Sequence, residues 1–418
     1  MPMLTRTRAI LATTLVVAAL ASVAVLSKDT PSAKPEDVGM SSERLARMDK
    51  FIHGYVDAGR TPGVVTLIAR HGKVVHVDAY GKADLASGRA TRADDIFRMY
   101  SMTKPITSVA LLSLYEEGRF QLTDPLSKYF PAFAGIKVMT GTSPSGGMLL
   151  DSPRRPITVQ DIFRHTAGFS YGFGGSPVDK MYQDANVFAT DLDGLVAKVV
   201  KMPLLYQPGE RWVYSVAHDV QAALVEKLSG QKFDQFVQQR VFTPLGMRDS
   251  VFKIPADKKS RVPGLYSMDK GKLVADTSPL GTGYGDQVFG GFSISTTASD
   301  YALFAQMLLN KGQLNGVRLL SPKTVELMAT NHLPPPALAS GPSPGTGYGL
   351  GVSVTMDPAA RGNLGSVGEF GWSGAASTHV LIDPKEDLVA IYCTQLMGGD
   401  FAIRAEFATL LYQSIVGN

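Results

Sequence analysis

A serine and a lysine at the start of an apolar helix are the side chains whose types and spacing most clearly allow chemistry. Ser101 and Lys104 are three residues apart, so their hydroxyl and amine would share one face of a helix. Pro105 fits only a first helical turn, where its missing N–H would have no partner in any case. The apolar run from Ile106 continues that helix. Ser101 would then lie in the positive field of a helix N-terminus, which favours a developing oxyanion.

The alternative interpretation of this pair is structural. Ser101 would be an N-cap residue, and Lys104 would lay its stem along the protein surface and keep its ammonium group in solvent. The spacing of the two residues does not by itself separate these interpretations.

Other serine motifs are weaker candidates for a nucleophile. Gly-x-Ser-x-Gly occurs around Ser170 and around Ser343, but a nucleophile elbow needs a strand leading in and a helix leading out. Ser170 follows a predicted helix at 159–164, and Ser343 lies in a proline-rich loop. Further Ser-x-x-Lys matches follow a helix end or lie among turn residues, and they begin at Ser229, Ser250 and Ser267.

The segment around Ser101 and Lys104 resembles the serine β-lactamase/penicillin-binding-protein superfamily, and within it the class C β-lactamase-like branch. The resemblance runs from about residue 38 to the end of the chain and is carried by several segments in the family's order. These segments are FRMYSMTK (97–104), IFRHTAG (162–168), PGERWVYS (208–215), GGFSISTTASD (290–300) and YGLG (348–351). Several motifs in order are far more specific than one, so the resemblance favours a catalytic Ser101.

The resemblance also implies a fold and a domain plan. We expect an α+β protein with the β-lactamase/transpeptidase-like fold, in which an antiparallel sheet is flanked by helices and carries an inserted, mainly helical lobe. The catalytic domain would span 38–418, with an α/β lobe at about 38–100 and 290–418 and a helical lobe at about 101–289. The nucleophile would lie where the helical lobe meets the sheet.

The family's second motif is Tyr-x-Asn on the helical lobe. Tyr214 matches the tyrosine, whereas Val216 stands in place of the asparagine. The resemblance implies that Tyr214, held near Lys104, is the base that activates Ser101. The chemistry is reasonable, because a cation beside a phenol favours the phenolate form. The alternative is that Tyr214 is one more half-buried aromatic residue.

The family's third motif is Lys-Thr-Gly or His-x-Gly on the strand that lines the site. Trp372-Ser373-Gly374 matches its position, just before a predicted strand at 378–382. Gly374 would let a substrate approach the backbone, and the N–H groups of Ser101 and Ala375 would form an oxyanion hole. The pair Lys323-Thr324 is a decoy, because Val325 follows it and Ser321-Pro322 predicts a helix start there.

A tryptophan in the third motif resembles the family VIII carboxylesterases, which implies ester substrates. Lysine or histidine at this position helps to bind the carboxylate of a β-lactam or of a peptide terminus. Trp372 cannot supply that charge, and it offers an apolar wall to an acyl or alcohol group. The loop 169–173 is a candidate for further aromatic surface in the same cleft. The alternative is that Trp372 is a core aromatic residue.

Three functions therefore remain open on the sequence. The first is a secreted serine carboxylesterase that cleaves small esters through a Ser101 acyl-enzyme, with Lys104 and Tyr214 as general base. The second is a β-lactamase or a D-amino-acid-specific peptidase of the same fold. The third is a non-catalytic relative that binds peptidoglycan.

The first residues of the chain indicate export. Arg6 and Arg8 precede an apolar stretch at 9–26 that contains two small-x-small sites, which is the pattern of a secretory signal peptide. We expect a signal peptide at 1–24, a linker at 25–37, and a periplasmic or extracellular protein. The alternative is an uncleaved anchor, because the stretch is near the lower length limit for spanning a bilayer.

Composition excludes several other classes of protein. The 41 Lys+Arg residues against 37 Asp+Glu give a net charge of +4, which is too weak to suggest nucleic-acid binding. Cys393 is the single cysteine, so no intramolecular disulfide and no Cys-based metal cluster is expected. Seven histidines without a close pair predict no metal site, and without a phosphate-binding loop we expect no nucleotide or other cofactor. The expected partner is a small ester or amide substrate.

Secondary-structure patterns predict that both ends of the chain build one sheet. Residues 64–69 and 73–80 predict a hairpin, and 378–382 with 388–394 predict a second one near the C-terminus. The second hairpin would bury Cys393 in a strand.

Helices would cover this sheet and fill the insertion. Residues 42–59 predict an amphipathic helix capped by Ser41 or Ser42, and 401–416 predict a closing helix. From about 120 to 290 we expect helices and long loops without a clear alternating strand. Three loops rich in Gly, Pro and Ser are candidate lids or surface segments, at 141–156, 168–177 and 334–347.

Overall fold

The computed structural model describes residues 31–278, 287–399 and 402–417, and these residues form an α+β protein as predicted. Its strands are β1 (Gly63–Arg70), β2 (Lys73–Gly81), β3 (Phe97–Arg98), β4 (Val138–Thr142), β5 (Met148–Asp151), β6 (Tyr266–Asp269), β7 (Lys272–Ala275), β8 (Ser295–Thr296), β9 (Gln313–Leu314), β10 (Val317–Arg318), β11 (Thr346–Tyr348), β12 (Ser353–Thr355), β13 (Phe370–Ser373), β14 (His379–Asp383), β15 (Leu388–Cys393) and β16 (Leu396–Met397).

Its helices cover the sheet and build most of the insertion. They are α1 (Ser42–Asp57), α2 (Thr103–Glu116), α3 (Val159–Phe163), α4 (Pro177–Ala185), α5 (Leu192–Val199), α6 (Ala217–Ser229), α7 (Phe233–Val237), α8 (Thr243–Leu245), α9 (Ala298–Leu309), α10 (Pro322–Met328), α11 (Pro335–Leu338), α12 (Pro358–Arg361) and α13 (Ala402–Tyr412).

The main sheet has seven antiparallel strands in the order β11-β12-β13-β14-β15-β1-β2. The two predicted hairpins are confirmed as β1–β2 and β14–β15, and β1 pairs with β15 so that Val65 lies opposite Cys393. Strands from both ends of the chain therefore meet at the centre of one sheet.

The central strands are apolar on both faces because helices cover both. In β15, Val389, Ile391 and Cys393 face one hydrophobic cluster, while Leu388, Ala390 and Tyr392 face the other. Helices α1 and α13 pack together on the second face, and α9 packs on the first. A strand buried on both sides loses the usual alternation of polar and apolar residues, so Cys393 is a buried thiol as predicted.

Helix α2 passes through the core of the helical lobe. Eleven of its residues are buried, and it packs against α6. Burial on all sides explains why its sequence is apolar around the whole circumference and not along one stripe. The first turn of α2 is thereby held rigidly at the place where the helical lobe meets the sheet.

The expectation that 120–290 lacks clear strands was wrong. This region contains the hairpin β4–β5, which overlaps the predicted loop 141–156, and the hairpin β6–β7, whose strand β6 also pairs in parallel with β16. Most residues of β4 and β5 are at least partly exposed, and a register shift lies between Met139 and Gly141. A hairpin exposed on both faces has no buried face to impose alternation, so hydrophobic patterning does not detect it.

Some predictions about the chain ends lie outside the described residues. The predicted signal peptide or anchor at 1–24 falls there, as does part of the linker at 25–37. Residues 35–38 form a short 3-10 helix, and Ala33 N donates to Val74 O at 3.0 Å. Within 31–278, 287–399 and 402–417, no helix is both long and apolar enough to cross a bilayer.

Arg70 links segments that are far apart in sequence. Its guanidinium is buried and donates to the backbone oxygens of Val38 (2.9 Å), Gly39 (3.1 Å) and Gly417 (2.7 Å). It also forms an ion pair with Glu386 at 3.1 Å, in the turn between β14 and β15. One side chain thus satisfies carbonyl groups at both termini of the domain.

Arg70→Met is expected to lower the free energy of unfolding by about 3 kcal/mol, because it leaves buried carbonyls and a carboxylate without their donor. Urea unfolding followed by circular dichroism measures this loss. The control is Arg47→Met, which removes an exposed ion pair to Glu43 on α1 and should change the midpoint little. Equal stability of the two variants would contradict the structural role of Arg70.

Candidate active site

Ser101 lies in a tight 3-10 turn, Tyr100–Met102, that leads directly into α2. Tyr100 has a φ of 46°, an uncommon conformation for a residue with a side chain. Its neighbours fix the turn, because Met99 N donates to Ile294 O at 2.9 Å and the hydroxyl of Tyr301 donates to Met102 O at 2.9 Å. A strained backbone held from both sides presents Ser101 at the mouth of a cleft.

Lys104 is fully buried in the first turn of α2. Its Nζ donates to Ser101 Oγ at 3.1 Å and to the backbone oxygen of Gly291 at 2.8 Å. The structural alternative placed the ammonium in solvent and made Ser101 an N-cap, and the structure contradicts both parts, since Ser101 caps no helix. The ammonium instead contacts the hydroxyl of Ser101, which is the partner that the Ser-x-x-Lys motif predicted.

Tyr214 lies in the segment before α6 and brings a phenol ring over the lysine. Lys104 Nζ is 4.6 Å from the centroid of the Tyr214 ring, a cation–π distance. On the other side, Trp372 Nε1 donates to the Tyr214 hydroxyl at 3.4 Å, and the two rings are 5.6 Å apart. Val216, which replaces the family's asparagine, is buried in the core. The structure therefore brings Ser101, Lys104, Tyr214 and Trp372 together.

The third motif lies at the end of β13 and beside the turn that carries Ser101. Gly374 N donates to Thr378 O at 2.8 Å, and a Cβ at Gly374 would collide with Met99 O and Thr378 Oγ1. Glycine is thus needed for close packing of β13 against the Ser101 turn, and its predicted role in substrate access stays a prediction. Ala375 follows and lines the cleft together with Ser101.

The cleft divides at Ser101 into two pockets, each of about 430 Å³. What we call the aromatic pocket is lined by Tyr171, Phe173, Tyr182, Val187, Phe188 and Phe292. What we call the polar pocket is lined by Ser353, Thr355, Arg361, Ser373, His379 and Arg404. The predicted loops 168–177 and 334–347 both supply residues to the cleft, one to each pocket.

Sequence reasoning missed Asp219, a buried carboxylate in the first turn of α6. Its Oδ1 accepts a hydrogen bond from Gly291 N at 2.8 Å, while the carbonyl of Gly291 accepts the one from Lys104. Burial raises the pKa of Asp219 to about 6, although the charge of Lys104 and the Gly291 N–H oppose this rise. A carboxylate in a first helical turn normally indicates only a favourable dipole interaction, so the sequence carries no distinguishing signal.

Tyr171 and His165 complete the surroundings of Lys104 and Tyr214. Lys104 Nζ is 5.4 Å from the Tyr171 ring, and burial together with the charge of Asp219 raises the pKa of Tyr171 well above its usual range. His165 packs 4.8 Å from the Tyr214 ring, and burial lowers its pKa well below its usual range. The histidine of the 162–168 motif is therefore a neutral packing partner of Tyr214.

The weaker serine candidates and the decoy pair Lys323-Thr324 take part in local structure. Ser170 is buried and donates to Asp179, and Ser343 donates to Thr346 Oγ1 at 2.9 Å. Lys323 is exposed at the start of α10, where Ser321 caps the helix. Among residues 31–278, 287–399 and 402–417, no group of three or more His, Cys, Asp and Glu side chains is arranged to hold a metal ion.

Asp219→Asn is expected to stabilise the protein at neutral pH but not in acid. Because the carboxyl titrates near 6 when folded and near 4 when unfolded, folding loses up to about 3 kcal/mol as pH rises from 4 to 6. The amide removes this cost and keeps an acceptor for Gly291 N. Urea unfolding of both proteins at pH 4.5 and 7.5 measures the difference, and a pH-independent difference would contradict the assigned titration.

Comparison with known proteins agrees with the geometry. The family model described as Beta-lactamase matches residues 48–413. Protein Rv1367c of Mycobacterium tuberculosis is 35% identical over 351 residues, which cover 81% of this chain and 87% of that protein. The lovastatin esterase of Penicillium rubens is 31% identical over 377 residues, which cover 83% of this chain and 92% of the esterase.

A solved structure shows the same fold. Simvastatin synthase (LovD) from Aspergillus terreus superimposes with a TM-score of 0.78 at 23% identity, over 89% of this chain and 98% of that one. The predicted β-lactamase/transpeptidase-like fold, with its antiparallel sheet and flanking helices, is thereby confirmed. The chain belongs to the Beta-lactamase family, within the serine β-lactamase/penicillin-binding-protein superfamily that includes esterases, and it is a serine hydrolase.

Proposed function

We propose that this protein is a carboxylesterase that works through an acyl-enzyme on Ser101. The observation that carries the proposal is the position of Lys104, which is buried, donates to Ser101 Oγ and lies against the ring of Tyr214. A buried ammonium that contacts both a hydroxyl and a phenol is suited to proton transfer between them.

Acylation would begin with removal of the Ser101 proton. Tyr214, acting as a phenolate, takes the proton, while the ammonium of Lys104 offsets the negative charge that passes from the phenol oxygen to Ser101 Oγ. Ser101 Oγ then bonds to the ester carbonyl carbon, and the carbonyl oxygen becomes an oxyanion. The residues Ser101 and Ala375 line the cleft together, and their backbone N–H groups would stabilise that charge.

Collapse of this intermediate would release the alcohol and leave an ester on Ser101. The proton held by Tyr214 passes to the leaving alkoxide, so charge and atoms balance. A water molecule then attacks the acyl-enzyme, with Tyr214 again accepting a proton, and Ser101 leaves with that proton as the acid departs.

The position of Trp372 supports the proposal that the substrates are esters and not β-lactams. Its indole lies where related enzymes carry lysine or histidine, and its N–H donates to the Tyr214 hydroxyl at 3.4 Å. The side chain thus adds an apolar wall to the cleft and orients the proposed base. It brings no positive charge to the third motif.

Ser101→Ala is expected to lower kcat on 4-nitrophenyl butanoate by about 10³-fold or more, because the nucleophile is lost. Tyr214→Phe removes the proposed base and should lower kcat by about 10²- to 10⁴-fold. Steady-state kinetics measures both. Ser229→Ala, which alters a serine of another Ser-x-x-Lys match, is the control and should keep wild-type activity.

Labelling gives an independent test of the same residue. Wild-type protein and the Ser229→Ala control should react with a fluorophosphonate probe, while Ser101→Ala should not. Absence of labelling in the wild-type protein, together with absence of turnover, would favour a non-catalytic relative that binds peptidoglycan.

Trp372→Phe keeps an aromatic wall but removes the donor to Tyr214, and it should lower kcat on 4-nitrophenyl butanoate about 3- to 10-fold.

The wild-type kcat/KM for 4-nitrophenyl butanoate should exceed that for nitrocefin by about a hundredfold or more. Comparable kcat/KM values for the two substrates would favour a β-lactamase instead, and turnover of a D-Ala-D-Ala peptide would favour a peptidase.

A further inference from the structure

Gly291 is held by hydrogen bonds on both sides of its main chain. Its N–H donates to Asp219 Oδ1 at 2.8 Å, and its carbonyl accepts a hydrogen bond from Lys104 Nζ at 2.8 Å. Lys104 Nζ also donates to Ser101 Oγ at 3.1 Å. One chain of hydrogen bonds therefore runs from Asp219 through Gly291 and Lys104 to the hydroxyl that the proposed reaction uses.

The segment that contains Gly291 is packed between α2 and α6. Thr107 Oγ1 on α2 donates to Gly290 O at 2.7 Å. A Cβ on Gly290 would collide with the backbone oxygen of His218 on α6 and would lie 3.0 Å from Thr107 Cγ2. The two helices thus leave no room for a side chain at this point, and they limit how far the segment can move.

Asp219 approaches the next residue of this segment just as closely. The carboxylate is fully buried, and a Cβ on Gly291 would lie 2.9 Å from each of its oxygens and 2.8 Å from the hydroxyl oxygen of Tyr171. Only glycine allows the main chain to come this near to the carboxylate. Because Asp219 belongs to α6, its hydrogen bond ties the position of Gly291 to that helix.

The carbonyl of Gly291 in turn sets the direction of the Lys104 ammonium. A lysine side chain is flexible, so the position of its Nζ depends on the partners it finds. The partners here are Gly291 O, Ser101 Oγ and the ring of Tyr214, whose centroid is 4.6 Å away. Gly291 O is the main-chain atom of the three and cannot change rotamer. A displaced Gly291 would draw the ammonium away from the other two partners.

Asp219 lies too deep to contact a substrate. It lines neither the aromatic pocket nor the polar pocket. Any effect of Asp219 on the reaction must therefore pass through Gly291 and Lys104. Such an effect would change the rate of the chemical steps and leave the binding of the ester unchanged.

We propose that Asp219 is a positioning residue that fixes Gly291 and thereby holds the Lys104 ammonium against Ser101 and Tyr214. This inference rests on the proposed esterase function and adds to it a residue that touches no reacting atom. The role requires a hydrogen-bond acceptor at the position of Oδ1, and an amide supplies one as well. Without an acceptor, the buried Gly291 N–H is left unpaired and the carbonyl of Gly291 is free to move.

Asp300 offers a matched control outside this chain of hydrogen bonds. It is the third residue of α9, as Asp219 is of α6, and both side chains are buried. Burial raises the pKa of both carboxyls to about 6. The carboxylate of Asp300 accepts from Asp249 N at 2.7 Å and from Ser250 Oγ at 3.0 Å. The same substitution at Asp300 therefore removes an equivalent buried acceptor from another part of the fold.

The test compares Asp219→Leu, which has no acceptor, Asp219→Asn, which keeps one, and Asp300→Leu. Steady-state kinetics on 4-nitrophenyl butanoate at pH 7.5 gives kcat and KM, and endpoint labelling with a fluorophosphonate probe counts the reactive sites. Per labelled site, Asp219→Leu should lower kcat about 10- to 100-fold and leave KM within about twofold. Asp219→Asn should lose at most about threefold, and Asp300→Leu should keep the wild-type kcat.

Gly291→Ala tests the same contact from its other side. The added methyl group would collide with the Asp219 carboxylate and displace Gly291, so kcat per labelled site should fall about tenfold while KM stays within about twofold. This variant decides the question if Asp219→Leu does not fold, and a wild-type kcat in Gly291→Ala then overturns the inference.

Several other outcomes would overturn it. One is an unchanged kcat per labelled site in Asp219→Leu, and another is an equal loss in Asp219→Asn, which keeps the acceptor. An equal loss in Asp300→Leu would show that any buried acid of this kind has the same effect, and a loss confined to KM would show a role in ester binding. Absence of wild-type turnover overturns the proposed function and this inference together, whereas an active wild-type enzyme with an unaffected Asp219→Leu variant overturns the inference alone.

Discussion

The structure of the site depends on a single buried cation. Lys104 has no access to solvent, and an ammonium group in such a place must be hydrogen-bonded and balanced by negative charge or electron-rich groups. Its surroundings meet that requirement through the carbonyl of Gly291, the hydroxyl of Ser101, and the rings of Tyr214 and Tyr171. Two of these groups, Ser101 and Tyr214, are the ones between which our proposed mechanism transfers a proton.

This arrangement requires that distant parts of the chain meet within a few ångströms. Ser101 and Lys104 come from the start of α2, Tyr214 from the segment before α6, and Gly291 from the return to the sheet. Helix α2 is buried along most of its length, and β13 packs so closely on the Ser101 turn that Gly374 has no room for a side chain. Rigid packing of helix and sheet therefore sets the geometry of Ser101, the proposed nucleophile.

The two sides of the cleft differ in what they offer a ligand. Aromatic side chains from the 168–177 loop and from α4 and its surroundings line one side, and polar side chains from the sheet edge, α12 and α13 line the other. Trp372 lines the second of these sides and contacts the proposed base. In our proposal the acylating chemistry comes from the centre of the cleft.

The sequence by itself determined the central elements and the position of the proposed reactive pair. Ser101, Lys104, Pro105 and the apolar run after them are local, so spacing predicted that the two side chains share one helix face, while the ordered family motifs favoured their catalytic interpretation. Alternating or apolar runs revealed the sheet hairpins. Exposed hairpins such as β4–β5 escaped prediction because no buried face imposes a pattern on them.

Tertiary structure alone decided which other side chains reach the reactive pair. Asp219 looks like an ordinary first-turn acid and Arg404 like an ordinary helical arginine until the fold places them beside Gly291 and Gly374. Burial, and the charges that burial brings together, depend on contacts between residues far apart in the chain. A linear sequence displays the type of each residue and its neighbours, but not the packing that sets its charge state and its partners.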